Sequence, residues 1–202
     1  MKTPFASFAE LSDSHRGILW MLLTTLLFVF MDTTAKYLTH AYPVPQITWA
    51  RYAFHALALV VLFRNRLPAL MRTKRPGLQI VRSSLLFSAT ILSFFALHMM
   101  PLADVVAIWA VTPILVTALS VPLLGERVGP RRWAGVVAGF IGAIIIIRPG
   151  MGIMQSAALL PAAVAVVLAF YHLATRALSS TDSSQTTIVY TVVVGLVVST
   201  GA

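Results

Sequence analysis

Residues 109–150 read W-A-V-T-P-I-L-V-T-A-L-S-V-P-L-L-G-E-R-V-G-P-R-R-W-A-G-V-V-A-G-F-I-G-A-I-I-I-I-R-P-G. These are two apolar runs joined by a short basic turn. The first run carries Pro113 and ends at Gly125, Glu126 and Arg127. The second starts at Pro130, carries Gly135, Gly139 and Gly142, and closes on Arg148, Pro149 and Gly150. A soluble domain does not make a hairpin this apolar, so the stretch fixes the solvent as lipid.

The whole chain follows the same rule. Of its 202 residues 58% are hydrophobic and 10% charged, against about 25% charged in soluble domains, and the mean hydropathy is +0.87. Seven apolar runs fall at 17–38, 45–64, 77–98, 101–122, 130–148, 156–178 and 187–202. Most are close to the ~20 residues that cross a bilayer as a helix. Backbone groups in hydrocarbon must pair internally, and the period-two alternation of an outer-membrane barrel is missing from I-I-I-I at 144–147. The expected fold is an all-α, polytopic membrane helix bundle of about seven transmembrane helices. Residues 1–16 are mixed polar, and the run after them is too long for a cleavable signal, so the first helix reads as a retained anchor.

The net charge of +9 follows the connections between runs. Arg64, Arg66, Arg72, Lys74 and Arg75 lie between the second and third, and Arg127, Arg131 and Arg132 between the fourth and fifth. Basic connections stay cytoplasmic, which predicts a cytoplasmic N-terminus. Without aromatic interleaving these clusters read as topology and lipid contact, not nucleic-acid binding. No cysteine is present, which excludes thiol chemistry and thiolate metal sites. The histidines at 15, 40, 55, 98 and 172 have no metal-ligand spacing. No nucleophile elbow occurs. We therefore expect no catalytic residues, no metal and no cofactor, and an enzyme is the weakest reading.

A shift of 140 residues lays F-M-D-T-T-A-K-Y-L at 30–38 on F-Y-H-L-A-T-R-A-L at 170–178. Phe30 falls on Phe170, Asp32 on His172, Lys36 on Arg176 and Leu38 on Leu178. Five helices separate the copies, so the second would run upside down relative to the first. Inverted repeats are a transporter architecture with the site near the midplane. The expected division is a cytoplasmic segment at 1–16, a five-helix repeat at 17–150 and the first part of a second repeat at 156–202. The last run of 16 residues reaches about 24 Å at 1.5 Å per residue, short of a ~30 Å core. Either the chain is a piece lacking about three helices, or a seven-helix protein with a short, tucked last segment.

The pattern carried by Pro113, Glu126, Arg131 or Arg132, Trp133, Gly135, Gly139, Gly142 and Pro149 resembles the end of an EamA-type repeat of the drug/metabolite transporter superfamily. F-x-x-M-D-x-x-x-K at 28–36 and P-x-x-Q-I-x-W-x-R at 43–51 resemble its first two helices. The resemblance implies a ten-helix carrier of two inverted five-helix repeats around a central cavity, in a bacterial inner membrane. It implies that the chain moves a small organic metabolite by alternating access. Members with a similar pattern in the first two helices take up riboflavin or S-adenosylmethionine. The alternative is a non-transporting or half-transporter subunit that needs a partner chain. The expected partners are a small-molecule substrate, the bilayer, and a second copy or complementing chain.

Charges within the runs are the candidate substrate contacts. A charge deep in lipid costs at least about 2.5–3.5 kcal/mol, so it pairs or faces a cavity. Asp32 and Arg51 each lie about 9 Å from the same surface by helical rise. That depth predicts either an Asp32–Arg51 pair bordering a cavity or a structural ion pair. His55 is expected near the midplane, and Lys36 is expected to snorkel outward. Trp109 reads equally as a stacking surface or as core. His172 mirrors Asp32 by the repeat. Asp104 reads as a first-turn partner of the helix dipole or as a cavity acid, Glu126 as part of a loop ion pair, and Arg82 as a snorkelling side chain. Pro113 removes a backbone hydrogen bond and predicts a kink. Gly135, Gly139 and Gly142 read as a helix-packing face, not a phosphate loop, because no strand precedes them.

Overall fold

The computed structural model describes residues 12–126, 128–147 and 157–201. They form helices and connections, with no strand among them. The helices are α1 (Asp13–Leu38), α2 (Val44–Phe63), the one-turn α3 (Leu67–Leu70), α4 (Pro76–Met99), α5 (Leu102–Trp109), α6 (Thr112–Leu124), α7 (Pro130–Ile147), α8 (Leu159–Leu178) and α9 (Ser184–Thr200). The expected runs emerge as helices, and the fold is an all-α polytopic bundle. Five helical stretches among the described residues are long and apolar enough to cross a membrane, with α5 and α6 together forming one. The chain is a multi-pass membrane protein. The turn at Arg148, Pro149 and Gly150 lies outside the described residues.

Four boundaries differ from expectation for local reasons. The first helix starts early because the Ser12 hydroxyl accepts from the His15 N–H and caps it. The last starts at Ser184, not 187, because Ser183 does the same for the Thr186 N–H. The basic connection at 64–75 contains α3, which starts at Leu67 with Pro68 in its first turn. The fourth run is broken in two at Ala110 and Val111. In an unbroken helix the Trp109 carbonyl would accept from residue 113, but Pro113 has no N–H. Instead Val111 turns back onto Ile108, and Ile114 and Leu115 both return to the Val111 carbonyl.

α4 is the central helix. It packs most extensively on α8 and α9, and also touches α1, α2 and α5. One apolar cluster, at the α1–α2 turn, gathers Ala35, Ile47, Phe94, Leu97, Val105 and Ile108. A second, at the α3 end, holds Leu59, Val189 and Val192. The apolar side chains of α1 from Ile18 to Phe30 are largely exposed, as lipid permits.

The 140-residue shift reappears in the backbone. Helices end at Leu38 and Leu178, five-residue turns follow, and the next helices begin at Val44 and Ser184. Ala41 and Tyr42 donate to the Leu38 carbonyl, as Thr181 and Asp182 donate to that of Leu178. Thr39 Oγ1 donates to the Lys36 carbonyl at 2.8 Å, and Ser179 Oγ to that of Arg176 at 2.7 Å.

Of the three glycines expected to pack, one is in close contact, and Gly195 is packed more tightly still. A Cβ on Gly139 would meet Ile114 Cδ1 at 3.0 Å, whereas Gly135 and Gly142 have nothing within 4 Å. The tightest approach is at Gly195 in α9, where a Cβ would lie 2.1 Å from Tyr52 Cε1.

Candidate functional site

The charged side chains within the helices are mostly tied to neighbouring helices. Lys36 does not snorkel outward. Its ammonium donates to the carbonyls of Leu97 and, at 2.8 Å, Met100. These are orphan carbonyls at the end of α4, which a cation satisfies.

Arg82 does not snorkel either. It is 5% exposed and ties α4 to α8 and α9. Its Nε donates to Thr175 Oγ1 at 2.7 Å, Nη1 to Thr191 Oγ1 at 2.8 Å and Nη2 to the Tyr171 hydroxyl at 2.7 Å. The surrounding hydroxyls make burial tolerable. Arg82 was misread because they lie about ninety residues or more away in sequence.

Among the described residues Glu126 pairs with α8 and not with Arg131 or Arg132. Gly125, at φ 67, turns the chain, and Glu126 pairs with Arg176 Nη2 of α8 at 2.6 Å. Asp104 takes its expected place in the first turn of α5.

Two cavities lie beside these ties. The first, about 510 Å³, sits between α1, α2 and α4. Its walls include Phe30, Gln46, Arg51, Phe54 and Phe94. Arg51 makes no ion pair with Asp32 within 4.0 Å, although the two interact electrostatically. Its guanidinium carbon lies 5.7 Å from the Phe94 ring centre, and its buried Nε has no partner. Asp32 and His55 are outside this wall. His55 stands edge-on to Tyr52, with ring centres 6.4 Å apart.

The second cavity, about 770 Å³, lies between the broken α5–α6 segment and α8. Here the structure brings Trp109, Pro113 and His172 together with Thr112, Thr117 and Arg176. Trp109 Nε1 and Thr112 Oγ1 are buried without a hydrogen-bond partner. Buried polar groups are nearly always paired, which sets these two apart from the apolar wall around them. Thr112 lies about 15 Å from the start of α5 by helical rise, near the middle of a ~30 Å core. Thr112 was missed in the sequence, where Pro113 was its signal: a proline frees a carbonyl one turn back, and polar neighbours of that gap become candidates. Arg176 lines the cavity and holds Glu126, so their ion pair stands at its α8 C-terminal end.

At that end of the bundle, Asp182, between α8 and α9, ties the basic connection down. It accepts from Thr73 Oγ1 at 2.6 Å, Gln79 Nε2 at 2.9 Å and the Lys74 N–H at 3.4 Å. Desolvation pushes its carboxyl upward. The hydrogen bonds from Thr73, Gln79 and Lys74, with the Lys74 charge, outweigh this and hold it below the ordinary carboxylate range. No cluster of three His, Asp or Glu residues suited to a metal ion occurs among the described residues.

Comparison with known proteins fits this picture of membrane helices around cavities. The model of the EamA-like transporter family matches residues 15–148. The chain is 34% identical over 184 residues to the riboflavin transporter of Vibrio cholerae serotype O1, covering 87% of this chain and 60% of the relative. It is 30% identical over 186 residues to the riboflavin transporter of Rhizobium johnstonii, covering 91% and 62%. With the S-adenosylmethionine uptake transporter of Rickettsia prowazekii it shares 26% over 133 residues, covering 66% and 45%. The chain thus spans about 60% of the length of the Vibrio cholerae and Rhizobium johnstonii riboflavin transporters. No solved structure matches. These relatives are named as transporters, not enzymes. With two thirds of its length matched by the family model and a close likeness to named carriers, the chain belongs to the EamA-like transporter family.

Proposed function

We propose that the chain carries a small planar metabolite of the flavin class across a bacterial inner membrane by alternating access. The observation that carries this reading is the cavity at the break between α5 and α6. It lies near mid-membrane, has an aromatic wall at Trp109 and holds two buried polar groups without partners. Broken helices at the midplane are where carriers bind substrates. Two relatives that match about nine tenths of this chain are named for riboflavin, and an isoalloxazine ring has a planar face suited to Trp109.

In this reading the N-terminus and the basic connection are cytoplasmic. The Glu126–Arg176 pair and the Asp182 ties close the cytoplasmic side in the conformation described, and they part for release. Arg51 lines the cavity between α1, α2 and α4 on the outer side.

The test is growth. A bacterium unable to make or import riboflavin is given this chain and limiting riboflavin. Growth with intracellular flavin accumulation is the expected result. Equal starvation with and without the chain contradicts it. A second reading, a subunit completed by another chain, is favoured by the open surroundings of Gly135 and Gly142 and the exposed face of α1. Rescue only on co-expression of a complementing chain would select it.

A further inference from the structure

The cavity between α5–α6 and α8 also carries information about which part of a ligand it reads. This inference rests on the reading that the cavity holds the transported molecule.

The wall is mostly apolar, with Val106, Val116 and Leu168 around the Trp109 indole. Into this setting the helix break delivers two unpaired buried side-chain groups within one turn of chain, beside a backbone carbonyl that has no i+4 amide to accept from. Trp109 Nε1–H is a donor only, and it is buried and unpaired. The Thr112 hydroxyl is unpaired on a residue 7% exposed. The Trp109 carbonyl lacks its i+4 donor, because Pro113 has no N–H, and the amides of Ile114 and Leu115 return to Val111. None of these is explained by packing. An unpaired buried hydroxyl is unfavourable, and an aliphatic group of the same shape would serve the fold better.

Two donors and one acceptor complement an edge that presents two acceptors and one donor. A cyclic imide, with an N–H between two carbonyls, is such an edge. We infer that the break at Trp109–Thr112 recognises the imide edge of a planar heterocycle. The indole N–H and the Thr112 hydroxyl donate to its carbonyl oxygens, and the freed backbone carbonyl accepts its N–H. This separates flavins and uracil-type rings from adenine-type rings, whose edge carries an exocyclic amine and no imide.

The purified full chain in nanodiscs is titrated with riboflavin, read by flavin fluorescence, and with N3-methylriboflavin, whose imide N–H is blocked. Uridine and 3-methyluridine are titrated in parallel by calorimetry. Both Thr112→Val and Trp109→Phe are tested against wild type. The expected result is that methylation and either substitution each weaken binding about tenfold or more, while Thr112→Val melts at the same or a higher temperature than wild type. A purely structural Thr112 would instead lower the melting temperature and leave the N-methyl discrimination intact. If N-methylated and parent ligands bind alike, or Thr112→Val binds as wild type does, the inference is overturned. If riboflavin fails but uridine binds with the predicted discrimination, the imide edge stands and the flavin reading falls. If neither imide compound binds, the imide inference is overturned.

Discussion

Arg82 and Tyr171 are joined twice: Arg82 Nη2 donates to the Tyr171 hydroxyl at 2.7 Å, and its guanidinium carbon lies 4.6 Å from the centre of the same ring. No carboxylate pairs with Arg82 among the described residues. The charge is held by hydroxyls, one backbone carbonyl and an aromatic face. That set fits the planar fork of arginine and not the single ammonium of lysine. Arg82→Lys keeps a buried charge while losing most of its bonds, and should lower stability by about 2–4 kcal/mol. Arg82→Met should cost less, because Thr175 and Thr191 also donate to the carbonyls of Tyr171 and Thr187. Thermal unfolding of both variants in nanodiscs checks the order. A lysine variant as stable as wild type would contradict it.

Gly195 and Tyr52 predict a steric coupling. Tyr52 is 2% exposed, and a methyl at 195 would overlap its ring at 2.1 Å. Gly195→Ala should destabilise by about 1–3 kcal/mol. Adding Tyr52→Ala should recover part of that loss, because the ring that clashes is gone. Additive losses in the double-mutant cycle would argue against the contact.

Asp182 predicts an acid-sensitive clamp. Its folded carboxyl titrates below the unfolded value, so its stabilisation is fully present above the unfolded pKa, about 3.9. It is lost as pH falls through the folded value. The melting-temperature difference between wild type and Asp182→Asn should therefore be constant from about pH 5 to 8 and shrink below about pH 4. A difference that grows on acidification would show the opposite sign.

The Glu126–Arg176 pair should act on transport more than on stability. The side chains are 26% and 56% exposed, and exposed pairs stabilise by about 0–1 kcal/mol. Glu126→Gln should leave the melting temperature nearly unchanged while altering the riboflavin uptake rate. Glu126→Arg combined with Arg176→Glu should return the rate toward wild type. Uptake indifferent to all three variants would remove the pair from the transport cycle.

The helices were legible because lipid leaves a plain mark in sequence: long apolar runs, basic connections and prolines at the joints. The likeness of the turns after Leu38 and Leu178 was legible too, since Phe30, Lys36 and Leu38 recur in kind at a shift of 140 residues and the two turns share hydrogen bonds. Side-chain partners were not. Lys36, Arg82 and Glu126 all bond to helices distant in sequence, and depth along a helix gives no bearing around it. The same limit applies to Asp32 and Arg51, whose matched depth did not make an ion pair. Thr112 was hidden for another reason. A threonine in an apolar helix ordinarily bonds back to its own backbone, as Thr90 and Thr117 do, and only the break before Pro113 leaves Thr112 without that partner.

The central claim is that this chain moves a flavin through the cavity at the α5–α6 break. It is tested most directly by reconstituting the purified chain in liposomes and following entry of radiolabelled riboflavin, with Thr112→Val alongside. The account predicts saturable entry above protein-free liposomes, reduced about tenfold at low riboflavin in the variant. Entry equal to that of empty liposomes, or wild-type flux in Thr112→Val, would contradict it.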